Sequence, residues 1–298
     1  MQPLDDIHAE LLGTLKRYWG YDSFRPVQEE IIRSVCQGRD TLALMPTGGG
    51  KSLTYQVPTM LREGLCIVVT PLIALMKDQV DRLRRLGINA AAIHSGLSMR
   101  QIDIVLDNCV YGDVKFLYVA PERLATEAFR LRVVRMNVSL VAVDEAHCIS
   151  QWGYDFRPSY LGVGDFIAQL PTRPAIAALT ATATERVRDD VIRLLGLRDP
   201  HRVVTGFDRP NLFFGVERLD AKKKIARIAS YALEHASDSG IVYCSTRKDV
   251  ERVQEALVEA GVKATRYHAG LTAAERERNQ RAFIADDEPV MVATNAFG

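Results

Sequence analysis

The run Met45-Pro46-Thr47-Gly48-Gly49-Gly50-Lys51-Ser52 follows the apolar stretch 41–44, and Asp144-Glu145-Ala146-His147 ends a second apolar stretch, 140–143. A strand that breaks into consecutive glycines ahead of a helix turns backbone N–H groups into one concavity, where they hold phosphate oxygens at the positive end of the helix. In this reading Thr47, Gly48, Gly49 and Gly50 form the cradle, Lys51 reaches the β- and γ-phosphates, and the Ser52 hydroxyl holds Mg²⁺. The usual phosphate loop opens with glycine, whereas this one has Met45 there, so the match is Gly-Lys-Ser with a variant start. An ordinary glycine-rich turn is the competing reading.

Two adjacent carboxylates at the end of a buried strand are costly unless a cation or a water requires them. Asp144 fits a Mg²⁺ ligand acting through water, and Glu145 fits the group that orients or deprotonates the attacking water. A surface acidic pair is the alternative. His147 taken alone reads as a structural histidine, but directly after the acid pair it becomes a candidate coupler between nucleotide state and a second site. Together the two stretches describe a nucleoside-triphosphate motor site.

Such loops need strands that end side by side, and the sequence supplies them twice. Residues 67–98 recur, ungapped, at 241–272: Gly87-Ile88 matches Gly261-Val262, and His94-Ser95-Gly96-Leu97 matches His268-Ala269-Gly270-Leu271 at the same offset of 174. The stretch 116–120 then falls opposite 290–294. Each copy reads as strand, helix, strand, helix, strand, with apolar strands suited to a parallel sheet covered on both faces, which makes the chain α/β. Chance likeness between two such units is the alternative to duplication. In the first copy two more strands follow, 140–143 and 175–179. The second copy has no counterpart to them, so an incomplete second lobe is expected, with the boundary near Gly206-Phe207-Asp208-Arg209-Pro210-Asn211 and lobes of 1–205 and 206–298.

Bulk properties narrow the class. A length of 298 residues with 47% hydrophobic content allows two buried cores. Residues 1–20 carry Asp5, Asp6 and Glu10 without an apolar core, and the longest apolar run, 65–76, contains Pro71, so neither a leader nor a membrane span is expected, and the cytoplasm is the expected compartment. Cys36, Cys66, Cys109, Cys148 and Cys244 form no close pairs, which argues against a disulfide framework and against zinc. With 38 basic and 37 acidic residues the net charge is +1, so any contact with nucleic acid must be a local groove.

Tyr21-Asp22-Ser23-Phe24-Arg25-Pro26-Val27-Gln28, ahead of the phosphate loop, and Ser150-Gln151-Trp152-Gly153-Tyr154-Asp155-Phe156-Arg157-Pro158, directly after the acid pair, complete a pattern that resembles the RecQ-type DNA helicases of superfamily 2 along essentially the whole chain. The resemblance implies two RecA-like parallel-sheet lobes in tandem, with ATP and Mg²⁺ as cofactors. It places Tyr21 and Arg25 on either side of the adenine ring and the Gln28 amide on its edge. A glutamine can offer adenine both a donor and an acceptor. The aromatic-rich stretch resembles the loop that marks this family. Aromatic faces stack on bases without demanding a sequence, so Trp152, Phe156 and Arg157 are the DNA-contact candidates; a small satellite core under the loop is the alternative.

By the same resemblance Thr70-Pro71-Leu72 and Ala120-Pro121-Glu122-Arg123 track the DNA backbone. Residues 178–184, with Thr180 and Thr182, link hydrolysis to movement, while Thr184 reads equally as a helix cap before Glu185. Residues 243–247, 267–270 and 292–298 resemble motifs of the moving lobe. Single-stranded and junction DNA are the implied partners, with single-strand-binding or repair proteins beside them. A monomer, nucleoid association, 3′ to 5′ movement and a role in recombination and repair are implied as well. The family's next motif, with its arginine finger, and its zinc-binding and winged-helix region find no match here. The chain therefore reads as an amino-terminal portion ending inside the second lobe. Two rivals stand beside the motor reading: an ATP-gated nucleic-acid clamp without productive turnover, and an RNA helicase of the same superfamily.

Overall fold

The computed structural model describes residues 4–206 and 212–297, so most of the expected junction, 207–211, and the final Gly298 lie outside the described residues. The chain forms two compact units, Met1–Arg209 and Pro210–Gly298. Both are α/β, and each has its own parallel sheet.

In the first unit, α1 (Leu4–Trp19) and α2 (Pro26–Cys36) precede β1 (Thr41–Leu44). Strands and helices then alternate through α3 (Lys51–Met60), β2 (Leu65–Val69), α4 (Ile73–Arg85), β3 (Ala90–Ile93), α5 (Met99–Tyr111) and β4 (Phe116–Val119). After α6 (Glu127–Val133), β5 (Val138–Val143) leads into the acid motif, and α7 (Gly162–Ala168), β6 (Ala175–Thr180), α8 (Glu185–Leu195) and β7 (His201–Val204) finish the unit. The sheet is seven-stranded, in the order β3-β4-β2-β5-β6-β1-β7.

The central strands are apolar at nearly every position for a physical reason. Side chains alternate between faces, and both faces are covered. Leu42, Leu44, Ile67, Val69, Val141 and Val143 enter one core, while Ala43, Met45, Cys66, Val68, Leu140 and Ala142 enter the other. The strand order places β6 between β1 and β5, with Leu44 opposite Thr180 and Val143 opposite Ala178. The phosphate loop and the acid motif therefore emerge on either side of Thr180, at the carboxyl edge where open parallel sheets bind ligands.

Helix α8 is held at both ends. The Val187 N–H donates to Thr184 Oγ1 at 3.4 Å, and Gly196 closes the helix in the left-handed region at φ 64°. Thr184 is thus a helix cap. Val187, Val191 and Leu195, spaced by one helical turn, are its buried face.

In the second unit, α9 (Ala221–Glu234), β8 (Gly240–Tyr243), α10 (Arg247–Glu259), β9 (Ala264–Tyr267), α11 (Ala273–Ile284) and β10 (Val290–Ala293) form a three-stranded parallel sheet in the order β8-β10-β9. Shifted by 174 positions, α4, β3 and β4 coincide end for end with α10, β9 and β10. Register follows too: Cys66 pairs with Phe116 and Gly240 with Val290. Smaller features recur with it. His94 Nδ1 accepts from the Gly96 N–H and His268 Nδ1 from the Gly270 N–H, each at 3.1 Å. A Cβ on either glycine would come to 3.1 Å from the imidazole, so the same tight approach is made twice. Ser98 with Gln101, and Thr272 with Glu275, cap the next helices through reciprocal side-chain bonds.

Cys66, Cys109 and Cys148 are buried, Cys36 and Cys244 half-buried, and all five are free. Among the described residues no helix is long and apolar enough to cross a membrane.

Candidate active site

The loop between β1 and α3 takes its shape from its glycines. Gly48 and Gly50 sit in the left-handed region at φ 78° and 79°. A Cβ on Gly49 would lie 2.9 Å from the Pro46 carbonyl oxygen, and one on Gly50 would lie 2.2 Å from Gln28 Nε2. Helix α3 begins at Lys51, so its first N–H groups face the loop's concavity without intrahelical partners. Met45, the variant start, is buried in the core, and its N–H donates to the Thr180 carbonyl at 3.0 Å, so its side chain belongs to packing and not to the cradle. Thr47 is exposed at the loop's tip.

Residues expected around adenine lie against this loop. Arg25 Nη1 donates to the Gly48 carbonyl at 2.9 Å, and Gln28 Nε2 donates to the Gly49 and Gly50 carbonyls at 3.0 and 3.4 Å. Gln28 Oε1 accepts from the Arg25 N–H at 3.1 Å. Gln28 is thus buried with its amide turned onto the loop, and contact with a base edge requires exchange of these bonds. Tyr21 is exposed beside them. A cavity of ≈ 330 Å³ is bounded by Tyr21, Arg25, Gln28, Gly48 and Ser52, a size suited to a nucleotide-scale ligand. Trp19 from α1 and Gln79 and Arg82 from α4 line it as well. Trp19 could have been found as an aromatic two residues before Tyr21. Gln79 and Arg82 carry no local signal, because they arrive from the far side of β2.

Substituting Gly50 with Ala forces an L-residue into the left-handed region against the Gln28 amide. We expect nucleotide affinity to fall at least about tenfold, since about 1.4 kcal/mol corresponds to that factor. Equilibrium nucleotide titration checks this, and wild-type affinity in the variant would show that the loop's shape does not matter.

Across Thr180 lies the acid pair. Burial, ahead of the neighbouring Glu145 charge, pushes Asp144 up to about 6, while the Lys51 ammonium pulls it the other way. Glu145 has φ 48°, in a region that a non-glycine residue adopts only when its surroundings impose it. Its N–H donates to Asp144 Oδ1 at 3.0 Å. The hydrogen bond from His147 holds the Glu145 carboxyl below the usual carboxylate range, so it is ionised at neutral pH. His147 Nδ1 stands 3.3 Å from Glu145 Oε2 and 2.7 Å from Thr180 Oγ1. Thr180 Oγ1 in turn donates to the Thr182 carbonyl at 3.2 Å and accepts from the Thr182 N–H at 3.3 Å. The structure thus brings together Glu145, His147, Thr180 and Thr182.

The crowding of Asp144 has a consequence for stability. A carboxyl that holds its proton more tightly when folded than when unfolded makes stability fall as pH rises, here from about pH 4 through about pH 6. Without divalent cation, Asp144→Asn is therefore expected to stabilise the chain by up to about 3 kcal/mol near pH 8 and to be neutral below about pH 4. Thermal melts in a chelator at the two pH values read this directly.

The aromatic loop leaves the acid motif within a few residues and returns to it. Ser150 Oγ donates to Asp190 Oδ2 at 2.7 Å, a Cβ on Gly153 would stand 2.3 Å from the His147 carbonyl oxygen, and the Tyr160 hydroxyl donates to the Asp144 carbonyl at 2.9 Å. Trp152 is 60% exposed and Phe156 half-buried. Arg157 gives two bonds to Asp155 Oδ2, at 2.9 and 2.7 Å, and its N–H donates to the Cys148 carbonyl at 2.9 Å. Asp190 and Tyr160 are anchors that the sequence does not signal, because their partners lie on other elements.

The segments 70–72 and 120–123 follow β2 and β4, neighbours in the sheet, at this same edge. There Thr70 Oγ1 and Arg123 Nε are buried and have no hydrogen-bond partner among the described residues. In the second unit, Tyr243, Tyr267 and Phe297 gather at the carboxyl edge, with Tyr243 donating to the Phe297 carbonyl at 3.1 Å and the Tyr267 and Phe297 rings 5.1 Å apart.

Comparison with known proteins identifies the family. Residues 25–191 match the DEAD/DEAH box helicase family and residues 223–298 the helicase conserved C-terminal domain. The ATP-dependent DNA helicase RecQ of Haemophilus influenzae is 44% identical over 287 residues, covering 96% of this chain and 46% of that protein. Its namesake from Bacillus subtilis is 46% identical over 285 residues, covering 95% and 48%. The chain thus spans about half the length of these relatives. Among solved structures, the Mycobacterium smegmatis helicase Lhr bound to ssDNA and AMP-PNP superposes with a TM-score of 0.70 at 20% identity, covering 95% of this chain and 41% of that one. The helicase MrfA bound to DNA gives 0.72 at 16% identity, covering 96% and 44%. At these identities the likeness is one of fold.

Proposed function

The chain belongs to the DEAD/DEAH box helicase family, and from that premise we propose that it is the amino-terminal part of an ATP-driven DNA-unwinding motor of the RecQ type. The observation that carries the proposal is the pair of contacts at His147 Nδ1, whose single N–H lies between Glu145 Oε2 and Thr180 Oγ1 and so ties the carboxylate assigned to hydrolysis to the segment between the phosphate loop and the aromatic loop. Residues 1–205 would form the ATP-binding lobe and 206–298 part of the second lobe. Tyr21, Arg25 and Gln28 would take the adenine, Thr47 to Lys51 the phosphates, and Trp152, Phe156 and Arg157 the DNA.

The residues fit a divalent cation. Asp144 and Glu145 crowd two carboxylates that the Lys51 ammonium partly offsets, and Ser52 lies at the start of α3. Mg²⁺, when bound, neutralises charge on the β- and γ-phosphates. Lys51 would orient the γ-phosphate, and Glu145 would align water and accept its proton. His147 would fix the Glu145 carboxylate and pass its position to Thr180. Nucleic acid that shifts the aromatic loop would then change the geometry of the attacking water, because the loop's far end is bonded to the Asp144 carbonyl. Work requires that DNA be bound differently in the two nucleotide states. Movement from 3′ to 5′, a role in recombination and repair beside single-strand-binding or repair proteins, and a cytoplasmic site of action extend the proposal by resemblance.

Steady-state ATP turnover with matched single-stranded DNA and RNA tests this reading. DNA-stimulated turnover is expected, and equal stimulation by RNA would overturn the DNA assignment.

A further inference from the structure

The aromatic loop is fixed to one face of α8. Besides the Ser150 bond to Asp190, the Trp152 N–H donates to Ser150 Oγ at 3.2 Å, and Arg193 Nη2 pairs with Asp190 Oδ1 at 2.7 Å. Arg186, in the first turn of that helix, then places its guanidinium carbon 3.5 Å from the centroid of the Trp152 ring. Both side chains are exposed. Arg186 makes no salt bridge among the described residues, whereas Arg157, the cation singled out by sequence, is held by its two bonds to Asp155.

An arginine over an indole face occupies the surface on which a base would stack. An exposed cation–π contact is the weaker of the two, so an arriving base displaces it. The displaced guanidinium cannot go far. Its helix is held by the Thr184 cap and by buried Val187 and Val191, which keeps the charge beside the ring and hence beside the phosphate of the stacked nucleotide. We propose that Arg186 holds the Trp152 face in the absence of DNA and, once a base takes that face, binds the adjoining phosphate as a single-stranded-DNA contact of this chain. This rests on reading the aromatic loop as a DNA surface.

Two opposed effects follow from removing Arg186. A phosphate contact is lost, which dominates at low salt, and a competitor for the ring is lost, which shows at high salt. The test is equilibrium binding of the whole chain to fluorescein-labelled oligothymidylate and to an abasic strand of equal length, between about 50 and 200 mM salt. The wild type is expected to prefer thymidylate. Arg186→Gln should bind both strands roughly threefold to tenfold more weakly at the lowest salt, with the slope of log affinity against log salt shallower by about 0.7 and the gap closing as salt rises. Arg186→Lys should keep the slope. Trp152→Ala should abolish the preference for thymidylate and keep the slope. Both positions are exposed, so each variant should melt with the wild type. Wild-type affinity and slope in Arg186→Gln, with the preference lost in Trp152→Ala, would overturn the role of Arg186 alone. A preference that survives in Trp152→Ala would overturn the DNA reading of the loop and this proposal with it.

Discussion

Replacing Glu145 with Gln is expected to slow the chemical step of ATP hydrolysis by about 10²- to 10⁴-fold, the range for removal of a positioned general base, while nucleotide binding persists. The isosteric amide keeps the size of the side chain and its reach toward His147 but cannot accept a proton from water. Glu145 is suited to the task because the His147 hydrogen bond keeps it ionised, while its neighbour Asp144 is pushed up by burial. Two adjacent carboxyls thus have opposite environments, which suits Glu145 to accept a proton and Asp144 to face a cation. The φ of 48° at Glu145 breaks the extended backbone of the strand that precedes it. Single-turnover hydrolysis with enzyme in excess isolates the chemical step. A variant that hydrolyses at the wild-type rate would remove Glu145 from the mechanism.

At the opposite end of the sheet, Asp40→Ala is expected to cost about 3–5 kcal/mol of stability, the range for breaking a buried ion pair from one side. Asp40 is 3% exposed. Its carboxylate accepts from Arg173 at 3.1 and 2.5 Å, from the Ile176 N–H at 3.0 Å and from the Arg198 N–H at 2.7 Å. It therefore ties the entrance of β1 to the entrance of β6 and to the end of α8. Without it, the Ile176 and Arg198 N–H groups lose their partner in a site with little access to water, and Arg173 keeps only the Pro174 and Gly196 carbonyls. Urea denaturation measures the loss. Because Asp40 lies at the amino ends of strands whose carboxyl ends carry the phosphate loop, nucleotide affinity under folding conditions should remain near the wild type. A cost under about 1 kcal/mol would mean that water replaces the carboxylate.

Asp40 also marks what the sequence leaves hidden. Its main side-chain partner lies 133 positions away, and no spacing or composition joins Asp40 to Arg173. Arg186 over Trp152, and Arg82 in the cavity that Tyr21 lines, are hidden for the same reason: each placement depends on how two elements pack and not on either one alone. What could be read was local or periodic. Apolar runs buried on both faces identify β1, β2 and β4, and the 174-residue offset places β9, β10 and α10 from β3, β4 and α4. The glycines of the phosphate loop were legible because their conformations are ones that other residues avoid. Gln28 falls between the two cases. Its neighbourhood could be read, but the hydrogen bonds of its amide to Gly49 and Gly50 could not, since they cross from α2 to a loop 21 and 22 positions away.

Gly48 to Ser52 and Asp144 are proposed to form one Mg²⁺-dependent ATP site. Calorimetric titration of the chain with ATP, with and without Mg²⁺, beside Lys51→Ala tests it most directly. One saturable site per chain is expected, tightened by Mg²⁺ and weakened at least about tenfold in the variant. Binding that is indifferent both to Mg²⁺ and to Lys51 would contradict it.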